Sequence, residues 1–116
     1  MDRRAVEKYM PLADEAIQSM FGNTKVDKTY RSKLSAFGAA VIMSGLLPAI
    51  AYYSKNEEKI IKLLEYMYNN SSETKGEKKD SLFDYVKTLE GKELSNIKEK
   101  IINYSISLKL VLNLYI

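Results

Sequence analysis

From Leu34 to Ser54 the chain runs for 21 residues without a charge. Wound into a helix, this stretch carries apolar side chains on every face, which predicts a helix buried all round. Phe37, Val41, Ile42, Leu46, Leu47 and Ile50 supply the apolar area. Gly38, Ala39, Ala40, Ser44, Gly45, Ala49 and Ala51 let neighbouring backbones come close. The run is therefore the predicted core on which the rest of the chain packs. Pro48 interrupts it: proline has no N–H for the Ser44 carbonyl and costs roughly 3 kcal/mol in a helix interior, so a kink is expected between Gly45 and Pro48. Twenty-one residues could also cross a bilayer. Against that reading, Gly, Ser and Ala dilute the hydropathy, and both flanks are basic, with Arg31 and Lys33 before and Lys55 and Lys59 after. The remaining segments also need a core to pack on.

Those segments are amphipathic. Val6, Tyr9, Met10, Ala13, Ala16, Ile17 and Met20 recur at steps of three and four, the spacing of one helix face. Pro11 should kink that helix or open a new first turn, and Gly22-Asn23 should end it. Asp27 is a predicted N-cap for the central helix. Ser54 and Glu57 match a capping box, which predicts a fresh helix over 55–68 burying Ile60, Ile61, Leu64, Met67 and Tyr68. The stretch 69–80, NNSSETKGEKKD, has no strong apolar residue and reads as a long loop. A short helix over 81–90 should stop at Gly91. A last helix from Lys92 carries Leu94, Ile97, Ile101, Tyr104, Leu108, Val111 and Tyr115 on one face. Its final nine residues also alternate with the period of a strand; the unbroken longer pattern favours helix. The expected fold is all-α, one domain over residues 1–116 containing a bundle of about five helices.

With no Cys and no His in 116 residues, thiol chemistry, disulfides and zinc ribbons are excluded, and the commonest general base and metal ligand are missing. Adjacent carboxylates at Asp14-Glu15 and Glu57-Glu58 point about 100° apart on a helix and cannot pinch a metal or share a proton. Gly22-Asn23-Thr24-Lys25 lacks the second glycine, the preceding strand and the following Ser or Thr of a phosphate loop. No enzyme activity, cofactor or metal is expected. The charged start, Met1 to Glu7, does not resemble a signal peptide, which predicts a cytoplasmic protein.

The net charge is +3. Residues 1–62 hold ten Lys and Arg against seven Asp and Glu, while the remainder is balanced at eight against eight. Lys25, Lys28 and Arg31 step by three, Lys33 extends them, and Arg4 and Lys8 form a second strip. In a chain with 18 basic residues a solvated surface is the simpler explanation of each group; the functional reading is a set of phosphate contacts that bind a strand without reading its bases. Tyr30, between Lys28 and Arg31, could stack on an unpaired base, although a tyrosine at a helix start more often packs on its neighbours.

Tyr30, the Gly45-Leu46 pair fifteen residues on, and Ile50-Ala51-Tyr52 together resemble a known family. This is the small all-helical subunit of the type III-B CRISPR RNA-silencing complex, the fifth protein of its Cmr module. Where that family carries basic residues this chain has Ser35 and Ala36, and Arg31 and Lys33 are the candidates to replace them. The resemblance implies a non-catalytic structural subunit of an antiviral complex. Copies of it would stack beside the backbone subunits, near the large polymerase-like subunit, and line the channel where guide and target RNA pair. Lys25, Lys28, Arg31, Lys33, Arg4 and Lys8 are then the expected RNA-binding residues. A stand-alone nucleic-acid-binding module would share the same charge asymmetry, and a small membrane protein is the third reading.

Overall fold

A computed structural model describes residues 2–72 and 81–116 of the chain. Among these residues there are six helices and no strand: α1 (Arg3–Phe21), α2 (Thr29–Ser44), α3 (Leu46–Asn56), α4 (Glu58–Asn70), α5 (Leu82–Val86) and α6 (Gly91–Leu112). The all-α expectation holds. The sixth helix appears because the uncharged run divides in two.

α1 starts where the Asp2 carboxylate accepts hydrogen bonds from the N–H groups of Arg4 (3.0 Å) and Ala5 (3.3 Å). It passes through Pro11 as a single helix. Pro11 and Glu7, whose carbonyl loses its partner there, are both on the exposed side, so water can take up the free acceptor. Val6, Tyr9, Ala13, Ala16 and Ile17 are buried as the periodicity predicts.

α6 lies between α1 and α2. Beside α1 it runs parallel, and three contacts keep the same offset of 101 residues: Asp2 N–H to Asn103 Oδ1 (3.2 Å), Ser107 Oγ to the Val6 carbonyl (2.9 Å), and the Tyr115 hydroxyl to the Asp14 carboxylate. Beside α2 it runs antiparallel. Arg31 Nη1 donates to Asn113 Oδ1 (2.6 Å), and Gly38 sits over Ser105, where a methyl group would lie 4.0 Å from Oγ. The centre of the fold is thus α6 and not the uncharged run. Ile97, Ile101, Tyr104, Leu108, Val111 and Leu112 are buried on it, together with the polar Asn103, Ser105 and Ser107. The helical reading of its end holds as far as Leu112. Residues 113–115 form a turn, pinned by the Val26 N–H donating to the Tyr115 carbonyl (2.8 Å).

The uncharged run is not buried all round. α2 buries only Leu34, Phe37 and Val41, leaving Ile42 70% and Met43 84% exposed. The expected kink is a break, and its cause is Gly45 rather than Pro48. Gly45 takes φ +99°, its N–H closes α2 on the Val41 carbonyl (3.0 Å), and its own carbonyl accepts from Ala49 to open α3 (3.3 Å). Pro48 therefore falls in the first turn of α3, where an N–H has no helical partner to lose. α3 continues past Ser54 because Leu46, Ile50 and Tyr53 are held in the core, so the capping box at Ser54 does not form. α4 begins three residues later than expected, with Glu57 at its N-cap and no side-chain cap bond. α5 is capped twice, by Ser81 Oγ accepting from Asp84 N–H (3.2 Å) and Glu65 Oε2 from Leu82 N–H (2.9 Å). Gly91, at φ +59°, opens α6 instead of stopping α5. Of the expected loop, Asn69 and Asn70 belong to α4, and 73–80 lies outside the described residues.

The two positions at the break separate cleanly. Gly45→Ala should destabilise by about 1–2 kcal/mol, because an L side chain is strained at that positive φ. Pro48→Ala should change stability by less than about 1 kcal/mol, with a small loss from the looser unfolded chain. Denaturant unfolding checks both; a stabilised Pro48→Ala would show that the proline strains a continuous helix.

Candidate nucleic-acid interface

The link between α1 and α2 carries most of the basic residues singled out above. Val26 is buried and anchors the link, while Lys25 and Lys28 project from either side of it and are exposed. Asp27 Oδ1 accepts from the Thr29 N–H (2.9 Å), but the N-cap of α2 is Lys28, one residue later than the sequence suggests, and it makes no side-chain cap bond. The Thr29 bond holds the Asp27 carboxyl below the ordinary carboxylate value, with Lys33 and Lys28 adding to the effect. Lys25, Val26, Asp27, Lys28 and Ile116 surround an open cavity of about 620 Å³. Arg31 stands on the first turn of α2, with its guanidinium tied to Asn113.

Lys33 turns the other way. Its Nζ lies 3.1 Å from Glu57 Oε2 at the α3–α4 corner and 4.8 Å from the centre of the Tyr30 ring. The hydrogen bond to Glu57 raises its pKa above the usual lysine value. Tyr30 also meets the edge of Phe21 (5.3 Å between centroids), and Lys59 Nζ lies 5.6 Å over the other side of that pair, above Phe21. The Tyr30 ring is thus packed among its neighbours. Arg4 and Lys8 are exposed on the first half of α1, and Lys8 borders a groove with Pro11, Glu15 and Ser71. At 1.5 Å per residue, Lys8 stands about 20 Å along α1 from Phe21. The structure brings Lys25, Lys28 and Arg31 together, diverts Lys33 into an ion pair, and leaves Arg4 and Lys8 at the far end.

Sequence reasoning misses Lys59, which joins the Phe21–Tyr30 cluster only through tertiary packing. It also misses a pattern that the chain does carry: residues 28–56 and 100–116 contain no Asp or Glu. Because α2 packs on the C-terminal half of α6, these two acid-free stretches lie side by side, with Asp27 and Glu57 at their borders. Among the described residues no cluster of carboxylates is placed to hold a metal ion, and no helix is long and apolar enough to cross a membrane.

A family model described as CRISPR-associated protein (Cas_Cmr5) matches residues 6–111, nearly the whole length of the helices just described. The chain belongs to the Cmr5 family. Membership associates this Cmr5 protein with the other subunits of a CRISPR effector complex. No curated protein and no solved structure matches the chain.

The shifted groups of this Cmr5 protein set its pH response. Lys33, Tyr53 and Tyr115 are raised, by the Glu57 bond, by burial and by the Asp14 bond respectively. What they contribute is present below their unfolded values and lost as pH rises through the higher folded ones. Asp27 is lowered, so its contribution is present above its unfolded value and lost as pH falls through the lower folded one. With no His and no Cys between these limits, stability should be flat from about pH 5 to 9. Thermal unfolding across that range checks it; a midpoint that climbs or falls steadily through pH 6–8 would contradict the assignment.

Proposed function

We propose that this Cmr5 protein is a non-catalytic structural subunit of a type III-B RNA-guided complex in the cytoplasm. It stacks with further copies of itself beside the backbone and large subunits, and contacts the guide and target RNA through the basic end at Lys25, Lys28 and Arg31. Family membership over residues 6–111 supports the subunit role. The observation that supports the RNA contact is the grouping of Lys25, Lys28 and Arg31 at the end of the acid-free stretches, where the neighbouring Asp27 carboxylate is engaged by the Thr29 N–H. Phosphate contacts of this kind hold a strand in place while base pairing reads its sequence. Arg4 and Lys8 form a second strip that would meet a different stretch of the channel.

Lys25 and Lys28 give the test, because reversing Arg31 or Lys33 would also break the Asn113 and Glu57 contacts. Lys25→Glu/Lys28→Glu should leave stability within about 1 kcal/mol of wild type. In the reconstituted complex it should lower the logarithmic salt slope of target-RNA binding by about 0.7 to 0.9 for each phosphate that is no longer neutralised. Equal slopes and affinities with the variant incorporated would remove RNA contact from this end and leave the subunit role standing.

The non-catalytic reading has its own measurement. The purified protein, with or without magnesium or manganese, should neither cut RNA nor hydrolyse nucleotides, since no His or Cys is present to activate a nucleophile. Cleavage that survives purification and disappears with a point substitution would overturn it.

A further inference from the structure

Residues 113–115 continue α6 as a turn, with Asn113, Leu114 and Tyr115 donating their N–H groups back to the carbonyls of Leu110, Val111 and Leu112. This turn is tied to other elements at three points. The Tyr115 hydroxyl donates to the Asp14 carboxylate and accepts from Gln18 Nε2 (3.1 Å), which also reaches Asp14 (3.4 Å). The Tyr115 carbonyl accepts from the Val26 N–H (2.8 Å). Asn113 Oδ1 accepts from Arg31 Nη1 (2.6 Å). Asp14 and Gln18 stand one turn apart on α1, just ahead of the point where the chain leaves that helix. Tyr115 therefore grips α1 with its side chain and the α1–α2 link with its backbone.

The last two ties bear on the cations assigned above to phosphate contact. Val26 lies between Lys25 and Lys28, and its bond to Tyr115 is the one backbone hydrogen bond, among the described residues, that joins 23–28 to a distant part of the chain. With the Val26 side chain buried, this bond fixes where the two flanking lysines leave the surface. Ile116, the residue after Tyr115, lines the same open cavity as both lysines. Asn113 holds Arg31 through a neutral amide oxygen, which orients the guanidinium without cancelling its charge and leaves its other N–H groups to donate elsewhere. Lys33 is held by the opposite means, a carboxylate 3.1 Å away that offsets its charge.

We propose that the turn 113–115 is a positioning clasp for the phosphate-binding end: Tyr115, anchored on Asp14 and Gln18, holds Lys25 and Lys28 in place through Val26, and Asn113 aims Arg31. The clasp rests on the RNA contact proposed above and adds to it residues that touch no phosphate themselves. A cation held in place beforehand loses less freedom on meeting a phosphate, so the clasp raises affinity without changing how many phosphates are neutralised. Counterion release counts those phosphates. Reversing a lysine therefore changes the salt slope of binding, whereas loosening the clasp lowers affinity at every salt concentration and leaves the slope as it was.

Tyr115→Phe tests the clasp, because the ring keeps its packing against the core and only the hydroxyl is lost. In the free protein, hydrogen exchange at the Val26 amide should quicken about tenfold, with the amides in the middle of α6 unchanged. In the reconstituted complex, the variant should bind target RNA about three- to tenfold more weakly across a salt series, with the slope of wild type. In an Asp14→Ala background the same substitution should cost less than about twofold, since the hydroxyl has already lost its carboxylate. Wild-type affinity in Tyr115→Phe, beside a lowered slope in Lys25→Glu/Lys28→Glu, would overturn the clasp and leave the RNA contact standing. A lysine variant equal to wild type in slope and affinity would overturn both. A lowered slope in Tyr115→Phe, or weaker binding with exchange at Val26 unchanged, would overturn the positioning role of Tyr115.

Discussion

The first and last helices lie parallel, and the fold depends on that pairing. Parallel helices at the two ends of a chain cannot be joined by a short turn, so everything between Phe21 and Gly91 must travel around them and return. The contacts that set the register are few and polar. Asn103 receives the N–H of Asp2, and Ser107 donates to the Val6 carbonyl at a point where its side chain is fully buried. Sliding α6 by one turn would break these bonds together, while the Ser107 hydroxyl would keep the Asn103 carbonyl, 2.8 Å away on its own helix, as a partner. Tyr9 and Tyr104, edge to face at 4.7 Å, fill the space between. Because these contacts span about a hundred residues, the loop-closure entropy is lost before any of them forms. The helices between are local by comparison and depend on this closure for their core.

Where the sequence can be read and where it cannot follows from the same geometry. The stripes on α1, α4 and α6 are legible because each helix buries one face against a neighbour, and the steps of three and four record it. α2 and α3 mislead because an uncharged run suggests burial on all sides. Ile42 and Met43 are apolar and uncharged, yet they face outward, and nothing local to them distinguishes that from a core position. On α6 the apolar stripe is legible but the burial of the polar residues beside it is not: Asn103, Ser105 and Ser107 are buried too, with partners on α1 or on their own backbone. The break falls where the sequence predicts a kink, for a different reason. Pro48 is tolerated because the preceding glycine has already ended one helix and begun another.

The basic residues divide along similar lines. Spacing alone places Lys25, Lys28, Arg31 and Lys33 together, and three of them do share one end of the molecule. Lys33 departs because Glu57, distant in sequence, is brought to it by the α3–α4 corner. Lys59 arrives from α4 for the same reason. Contacts of this sort have no periodic signature. The acid-free stretches do have one, since the absence of Asp and Glu is visible in the linear chain, and only the packing of α2 on α6 brings the two side by side at the surface.

That surface has a constant charge over the physiological range. Among the described residues the shifted groups move away from neutral pH: Asp27 downward, and Lys33, Tyr53 and Tyr115 upward. No imidazole or thiol exists to titrate in between. Attraction to a polyanion is therefore governed by counterion release, and the variable that can weaken it is ionic strength. The exposed hydrocarbon of Ile42 and Met43 responds in the opposite sense, because burying hydrocarbon is insensitive to screening and is strengthened by salts excluded from the surface. Salt thus distinguishes the exposed cations at the α1–α2 end from the exposed hydrocarbon of Ile42 and Met43 near the end of α2.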